Sequence, residues 1–146
     1  MDAGSVKIVQ QLIAMGSGSL LQYVSESSPY SADPAQAAIQ RLLAIAHEER
    51  DEVARLTRLM QKMRERPPKI GSYPSHFTTM NFVTLDYLVP KLITEHEKEV
   101  AQISVALSQL DDEDAQKTVQ TYLDMKRRHL EVLKDLVSSK PPAAAA

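Results

Sequence analysis

Ile39-Gln40-Arg41-Leu42-Leu43-Ala44-Ile45-Ala46-His47-Glu48-Glu49-Arg50-Asp51-Glu52-Val53-Ala54-Arg55-Leu56-Thr57-Arg58-Leu59-Met60-Gln61-Lys62-Met63 is the stretch whose period decides the fold. Ile39, Leu42, Ala46, Val53, Leu56, Met60 and Met63 step by threes and fours, the spacing of one face of an α-helix. The position between Ala46 and Val53 on that face is Glu49, a carboxylate inside an apolar seam. An unpaired charge buried there is costly, so it must pair, shift its protonation or hold a metal.

The pattern recurs in two later stretches. Leu85, Val89, Leu92, Val100, Ile103 and Leu107 mark a third helix, with His96 near the centre of the seam and Glu99 at its edge. Val119, Tyr122, Leu123, Leu130, Leu133 and Leu136 mark a fourth, with Lys126 central and His129 beside it. Three seams with ionisable centres predict a polar assembly inside a helical bundle. His47 lies opposite its seam and is expected to be solvated.

Punctuation in the chain sets the helix boundaries. Helix one is expected over Ser5 to Ser27, with Val9, Leu12, Ile13, Leu20, Tyr23 and Val24 inward. Asp33-Pro34-Ala35-Gln36 reads as a helix start, with Asp33 as cap and Pro34 in the first helical position. Helix two then runs from Pro34 to about Arg66, before Pro67-Pro68. A segment rich in Pro, Gly, Ser and Thr fills Pro67 to about Thr79. Helix three begins between Asn81 and Asp86 and ends near Leu110. With Asp86 as its cap, Pro90 falls in the first turn, where no hydrogen bond is lost; an earlier start makes Pro90 a kink. The acidic run Asp111 to Asp114 ends helix three and caps helix four, which runs to about Val137. Residues 138–146 read as a frayed tail, leaving one domain over residues 1–137.

The loop lengths select a topology. Two short connections make antiparallel hairpins of helices one and two and of helices three and four. The middle connection has roughly 13 non-helical residues, a length that in compact domains usually has a distance to cover. At ~3.3 Å per residue it spans about 43 Å, close to the ~48 Å of helix two, so it can return along the bundle. Short, long, short is the pattern of a bundle with one long crossover.

Composition bounds the chemistry. The chain has 146 residues, enough for a substantial core, and no Cys, so disulfides and thiolate ligands are excluded. A net charge of -2 with interspersed signs leaves no electrostatic footprint for nucleic acid or an anionic membrane. The first residues lack a charged n-region and a cleavage site, and no apolar run approaches ~20 residues. The expectation is a soluble cytoplasmic protein. No Gly-rich phosphate loop and no nucleophile elbow is present, so covalent catalysis has no candidate. Met15, Met60, Met63 and Met125 fall at helical spacing and read as core filler.

Ala44-Ile45-Ala46-His47-Glu48-Glu49-Arg50-Asp51-Glu52-Val53-Ala54 resembles the second-helix signature of ferritin-like and rubrerythrin-like proteins. Leu20-Leu21-Gln22-Tyr23 is similar to the end of their first helix, and Glu97-Lys98-Glu99-Val100-Ala101-Gln102 to their third. Lys126-Arg127-Arg128-His129 stands where a fourth-helix Glu-x-x-His is expected. The resemblance implies an all-α, ferritin-like four-helix bundle with a long crossover between helices two and three. It also implies a di-iron site, against which this chain departs at several positions. The helix-one ligand position, about seven residues before Tyr23, is Gly16. Glu49 is kept, but Glu52 replaces the following His. His129 is kept, but Lys126 replaces its Glu. In helix three the resemblance favours Glu97 as ligand, whereas the seam places His96 inside and Glu97 outside.

Two functional expectations follow. The first is a ferritin-like bundle with no catalytic centre, in which a core polar network of Lys126, Gly16 and Tyr23 with Glu49 replaces the di-iron site and the role is structural. The alternative is an iron- or manganese-binding, redox-capable protein whose altered mono- or dinuclear site draws on Glu49, Glu52, His96, Glu99 and His129. A homodimer is expected, from Ile45 and Leu59 flanking the helix-two seam and Tyr73, Phe77 and Phe82 in the crossover. No substrate class is indicated.

Overall fold

A computed structural model describes residues 2–27, 36–80 and 84–138, and among these the chain is all-helical, with no strand. Its elements are α1 (Ala3–Ser17), α2 (Leu20–Ser27), α3 (Gln36–Lys62), α4 (Leu85–Ser108) and α5 (Glu113–Ser138), with a 3-10 segment at Ser75–Met80. α1 and α2 are two halves of one rod, so the described residues form four helices. Asp33, Pro34, Phe82 and residues 139–146 lie outside the described residues.

The boundaries differ from expectation at three places, and α4 takes the earlier of its two expected starts, each with a local cause. α1 starts at Ala3 because the Asp2 side chain caps it, its Oδ1 accepting from the Ser5 N–H at 2.7 Å. The rod breaks at Gly18-Ser19. There the Ser19 hydroxyl accepts from the Gln22 N–H at 3.2 Å and so caps α2. α3 stops at Lys62, four residues before Arg66, in a Schellman turn. The Glu65 N–H donates to the Met60 carbonyl at 2.8 Å and the Arg64 N–H to the Gln61 carbonyl at 3.0 Å. Arg64 holds the left-handed position there, at φ 60°. In α4 the N-cap is Thr84 rather than Asp86, so Pro90 lies inside the helix beyond its first turn. Pro90 is exposed, which spares the buried side of α4. Asp112 caps α5, accepting from the Ala115 N–H at 2.8 Å.

The core forms two clusters along the bundle. One takes Val9, Leu12 and Ile13 of α1, Val53 to Met60 of α3, Ile103 of α4 and Val119 to Met125 of α5. The other takes Leu20, Leu21 and Val24 of α2, Leu42 to Ala46 of α3, Leu85 to Leu92 of α4, Leu133 of α5 and Phe77. Thus α3 and α4 each begin in the second cluster and end in the first, whereas α1–α2 and α5 run the other way. α3 packs against α1, α2 and α5, and α4 against α5 and α2. Ile45 and Leu59 are buried in these clusters, so neither offers a surface to a second copy. Leu43 on α3 and Val105 on α4 are exposed instead. No helix among the described residues is long and apolar enough to cross a membrane.

Candidate functional site

The seam residues that break the apolar pattern meet between the two core clusters. Glu49 and Lys126 are fully enclosed, His96 is equally inaccessible, and His129 and Glu99 are buried. Lys126 Nζ, from α5, donates to Glu49 Oε2 of α3. On its other side it lies 2.6 Å from Glu99 Oε2 of α4. That second contact is an ion pair without hydrogen-bond alignment, for Glu99 Oε2 has no hydrogen-bond partner among the described residues. One ammonium therefore stands between two carboxyls.

The break in the first rod completes the Glu49 environment. Ser19 Oγ donates to Glu49 Oε1 at 2.6 Å, and Gln22 Nε2 donates to the same oxygen at 2.9 Å. Gln22 also donates to the Ala46 carbonyl at 2.7 Å and accepts from Arg50 Nη2 at 3.1 Å, which fixes its amide. Ser19 and Gln22 were not among the candidates drawn from the seams. Their signal was nevertheless present: Ser19-Leu20-Leu21-Gln22 has the Ser-x-x-Gln form of a helix start, set after a helix-weakening Gly18.

Gly16 lies against Tyr122 of α5. A Cβ at Gly16 would stand 2.6 Å from the Tyr122 hydroxyl and 2.5 Å from Val53 Cγ2, so those two side chains occupy the space of a side chain at 16. The Tyr122 hydroxyl has no hydrogen-bond partner among the described residues. Tyr23 is half-buried at a different level, its ring 5.3 Å from Tyr73 and 5.6 Å from Phe77. Glu97 is exposed, as the seam required.

The remaining candidates form a looser periphery. His96 Nδ1 bonds the Leu92 carbonyl at 3.0 Å, which leaves Nε2 buried without a partner. The His129 ring lies 6.4 Å from that of His96, and neither of its nitrogens is hydrogen-bonded. Its Nε2 approaches Glu48 at 3.6 Å. Glu52 Oε1 lies 3.6 Å from Arg55, its Oε2 is buried without a hydrogen-bond partner among the described residues, and the side chain lines a surface groove between α3 and α5. His47 is exposed and pairs with Asp51.

Burial and charge set the protonation of this layer. Burial pushes the Glu49 carboxyl up, but the Lys126 ammonium and the donors from Lys126, Ser19 and Gln22 outweigh it and hold it below its usual range. For Glu99 burial prevails over the same ammonium, and the neighbouring Glu49 charge adds to it, so its carboxyl is pushed up. The two partners of Lys126 thus move in opposite directions because Glu49 accepts from three donors, whereas Glu99 has only the Lys126 charge beside it. Burial disfavours the Lys126 ammonium, but Glu49, Tyr122 and Glu99 reverse that and raise it. Burial, then the Lys126 charge, lowers His96 to about 3 and His129 to about 4. At neutral pH the layer holds the Lys126–Glu49 ion pair and two neutral imidazoles, with Glu99 pushed toward its protonated form.

These residues do not fit a di-iron or mononuclear metal centre. The space between the two carboxyls, where a cation would bind, holds the ammonium of Lys126. Among the described residues no group of three or more His, Asp or Glu side chains converges as ligands would. Set against family models, curated protein sequences and solved structures, the chain matches none.

Proposed function

We propose that this chain is a non-catalytic, ferritin-like bundle, related to the rubrerythrin-like proteins, in which a Lys126–Glu49–Glu99 network stands in place of a di-iron site. Its role is structural or interactive. What supports the fold reading is the direction of the helices. α3 and α4 begin in one core cluster and end in the other, as they must if residues 63–84 return along the bundle. The single observation that carries the functional reading is the enclosed Lys126 Nζ between Glu49 and Glu99. A fixed ammonium neutralises the carboxylate that a metal would otherwise need to neutralise.

Metal content tests the reading. Protein purified without chelator is expected to hold far less than one iron, manganese or zinc per chain. One bound iron or manganese per chain would instead favour the metal-binding alternative, with Glu49, Glu52, His96, Glu99 and His129 rearranged around it. Lys126→Glu restores the fourth-helix carboxylate that the resemblance implies, and that variant is expected to gain iron. A folded Lys126→Glu protein with unchanged metal uptake would count against the ancestry of the site.

The proposal extends to a two-fold dimer, the commonest closed assembly. Leu43 and Val105 supply the exposed apolar positions. Sedimentation at tens of micromolar is expected to find twice the chain mass, and a lone monomer would refute it.

A further inference from the structure

We propose that Lys126 and Glu99 become joined in the folded chain by an isopeptide bond, a side-chain amide linking α5 to α4, with Glu49 as the group that moves the protons. The inference rests on the geometry of the three side chains and not on the fold-class reading. One amine and two carboxyls share an enclosed space, and no other side chain donates to Glu99 among the described residues. Lys126 Nζ is 2.6 Å from Glu99 Oε2. The Glu99 carboxyl carbon is therefore no further off than one carbon–oxygen bond beyond that, in or near the ~3–3.5 Å range of a near-attack arrangement. The contact lacks hydrogen-bond alignment, so it does not hold Nζ on the oxygen and away from the carbon.

Charge arithmetic assigns the roles. Two carboxyls beside one ammonium carry one negative charge too many for a dry interior, and a single proton relieves it. Ser19, Gln22 and Lys126 all donate to Glu49, so the anion stays there and the proton resides on Glu99. A neutral carboxylic acid is the form an amine can attack.

The step balances within the triad. Lys126 passes one ammonium proton to Glu49, and the free amine attacks the Glu99 carboxyl carbon. The new C–N bond forms as the Glu99 C–OH bond breaks. Glu49 delivers a proton to the departing hydroxyl, which leaves as water, and takes a proton from the nitrogen. The four labile hydrogens end as one on the amide, two on water and one on Glu49, with no net charge before or after. No oxidant or activated co-reactant is required. The product replaces a buried ion pair by a neutral amide, which removes the desolvation penalty of both charges. Holding the groups together in this way corresponds to effective concentrations of about 10⁵–10⁸ M. A groove of ≈ 540 Å³ lined by Met15, Leu20, Ile70, Phe77, Glu95 and Glu99 gives the released water a way out.

Intact-mass measurement on the full chain tests this directly. Folded protein, held at neutral pH and then denatured, is expected to be lighter than its sequence by one water. Proteolysis is expected to yield one branched peptide that joins the segment around Lys126 to the segment around Glu99. Chain kept in denaturant is expected to retain its full mass and to lose water only after refolding. Lys126→Arg keeps the charge but lacks the nucleophile, and its folded form is expected to keep the full mass. The full sequence mass in the folded natural chain, or a water loss that maps elsewhere, including to Glu49, would overturn the proposal. Neither result depends on metal content, so the two readings fail separately.

Discussion

At the residue scale, the core of this protein is organised, before Lys126 and Glu99 are joined, by a single ammonium. Lys126 is fully enclosed, and its two carboxyl partners come from different helices, so removing it leaves charge behind rather than merely a hole. Lys126→Met is therefore expected to cost about 3–5 kcal/mol, measured by urea denaturation, because Glu49 is stranded with only Ser19 and Gln22 to support it. A loss under about 1 kcal/mol would mean that Glu49 takes up a proton at little cost. Tyr122 predicts the opposite sign. Its hydroxyl is buried without a partner, and an unpaired buried polar group costs about 1–3 kcal/mol. Tyr122→Phe is thus expected to raise stability by about 1 kcal/mol; a destabilised variant would reveal a partner for the hydroxyl. Gly16 explains the crowding at that point, since any larger residue must displace Val53 or Tyr122.

At the element scale, the breaks in the helices matter more than the helices themselves. Without the interruption at Gly18-Ser19, Ser19 would spend its hydroxyl within the rod. The break instead lets that hydroxyl cap α2 and donate to Glu49. The end of α3 is a second such device, less well filled. Its Schellman turn holds Arg64 at φ 60°, a left-handed conformation that costs a residue with a Cβ roughly 1–2 kcal/mol and costs glycine nothing. Arg64→Gly is expected to stabilise the protein by about 0.5–1 kcal/mol, part of the relief being offset by glycine's greater freedom in the unfolded chain. A thermal melt is the check, and an unchanged or lower midpoint would show that the Arg64 side chain contributes to the native state.

At the scale of the whole molecule, the layer of buried titratable groups couples stability to pH. The unfolded chain's imidazoles gain protons near 6.5, whereas His96 and His129 in the fold resist until about 3 and about 4. Between those values the unfolded state binds more protons, so stability falls as pH falls. Glu49, held low, acts in the same sense, and its share is lost below the ordinary carboxylate range. Glu99, held high as long as it is not joined to Lys126, acts in the opposite sense, since the folded chain then keeps a proton longer than the unfolded chain does. The two imidazole protons correspond to a loss of at most about 2 kcal/mol from pH 6 to pH 5, and Glu99 offsets part of it. His129→Gln is expected to flatten that slope. A natural chain equally stable at both pH values would contradict the neutral, buried state of the two imidazoles.

Periodicity alone determined the helical class, the inward positions of Glu49, His96, Glu99, Lys126 and His129, and the outward turn of Glu97, because burial on a helix follows its 3.6-residue period. The approximate extents of the helices were legible for the same reason. What periodicity could not carry was everything that depends on a second element. Glu52 shares the buried face of α3, yet it points to a groove beside α5, because only the neighbouring helices decide which edge of a seam stays covered. Tyr23 shares the face of α2 with the polar layer but sits at the level of Tyr73 and Phe77, which belong to a distant stretch of chain. The Ser19 and Gln22 donors depended on where the rod breaks, and a break is settled by what its freed groups can bond to, here a carboxylate on α3. Side-chain types and their period assign residues to the interior. Only the packing of four helices brings one amine between two carboxyls.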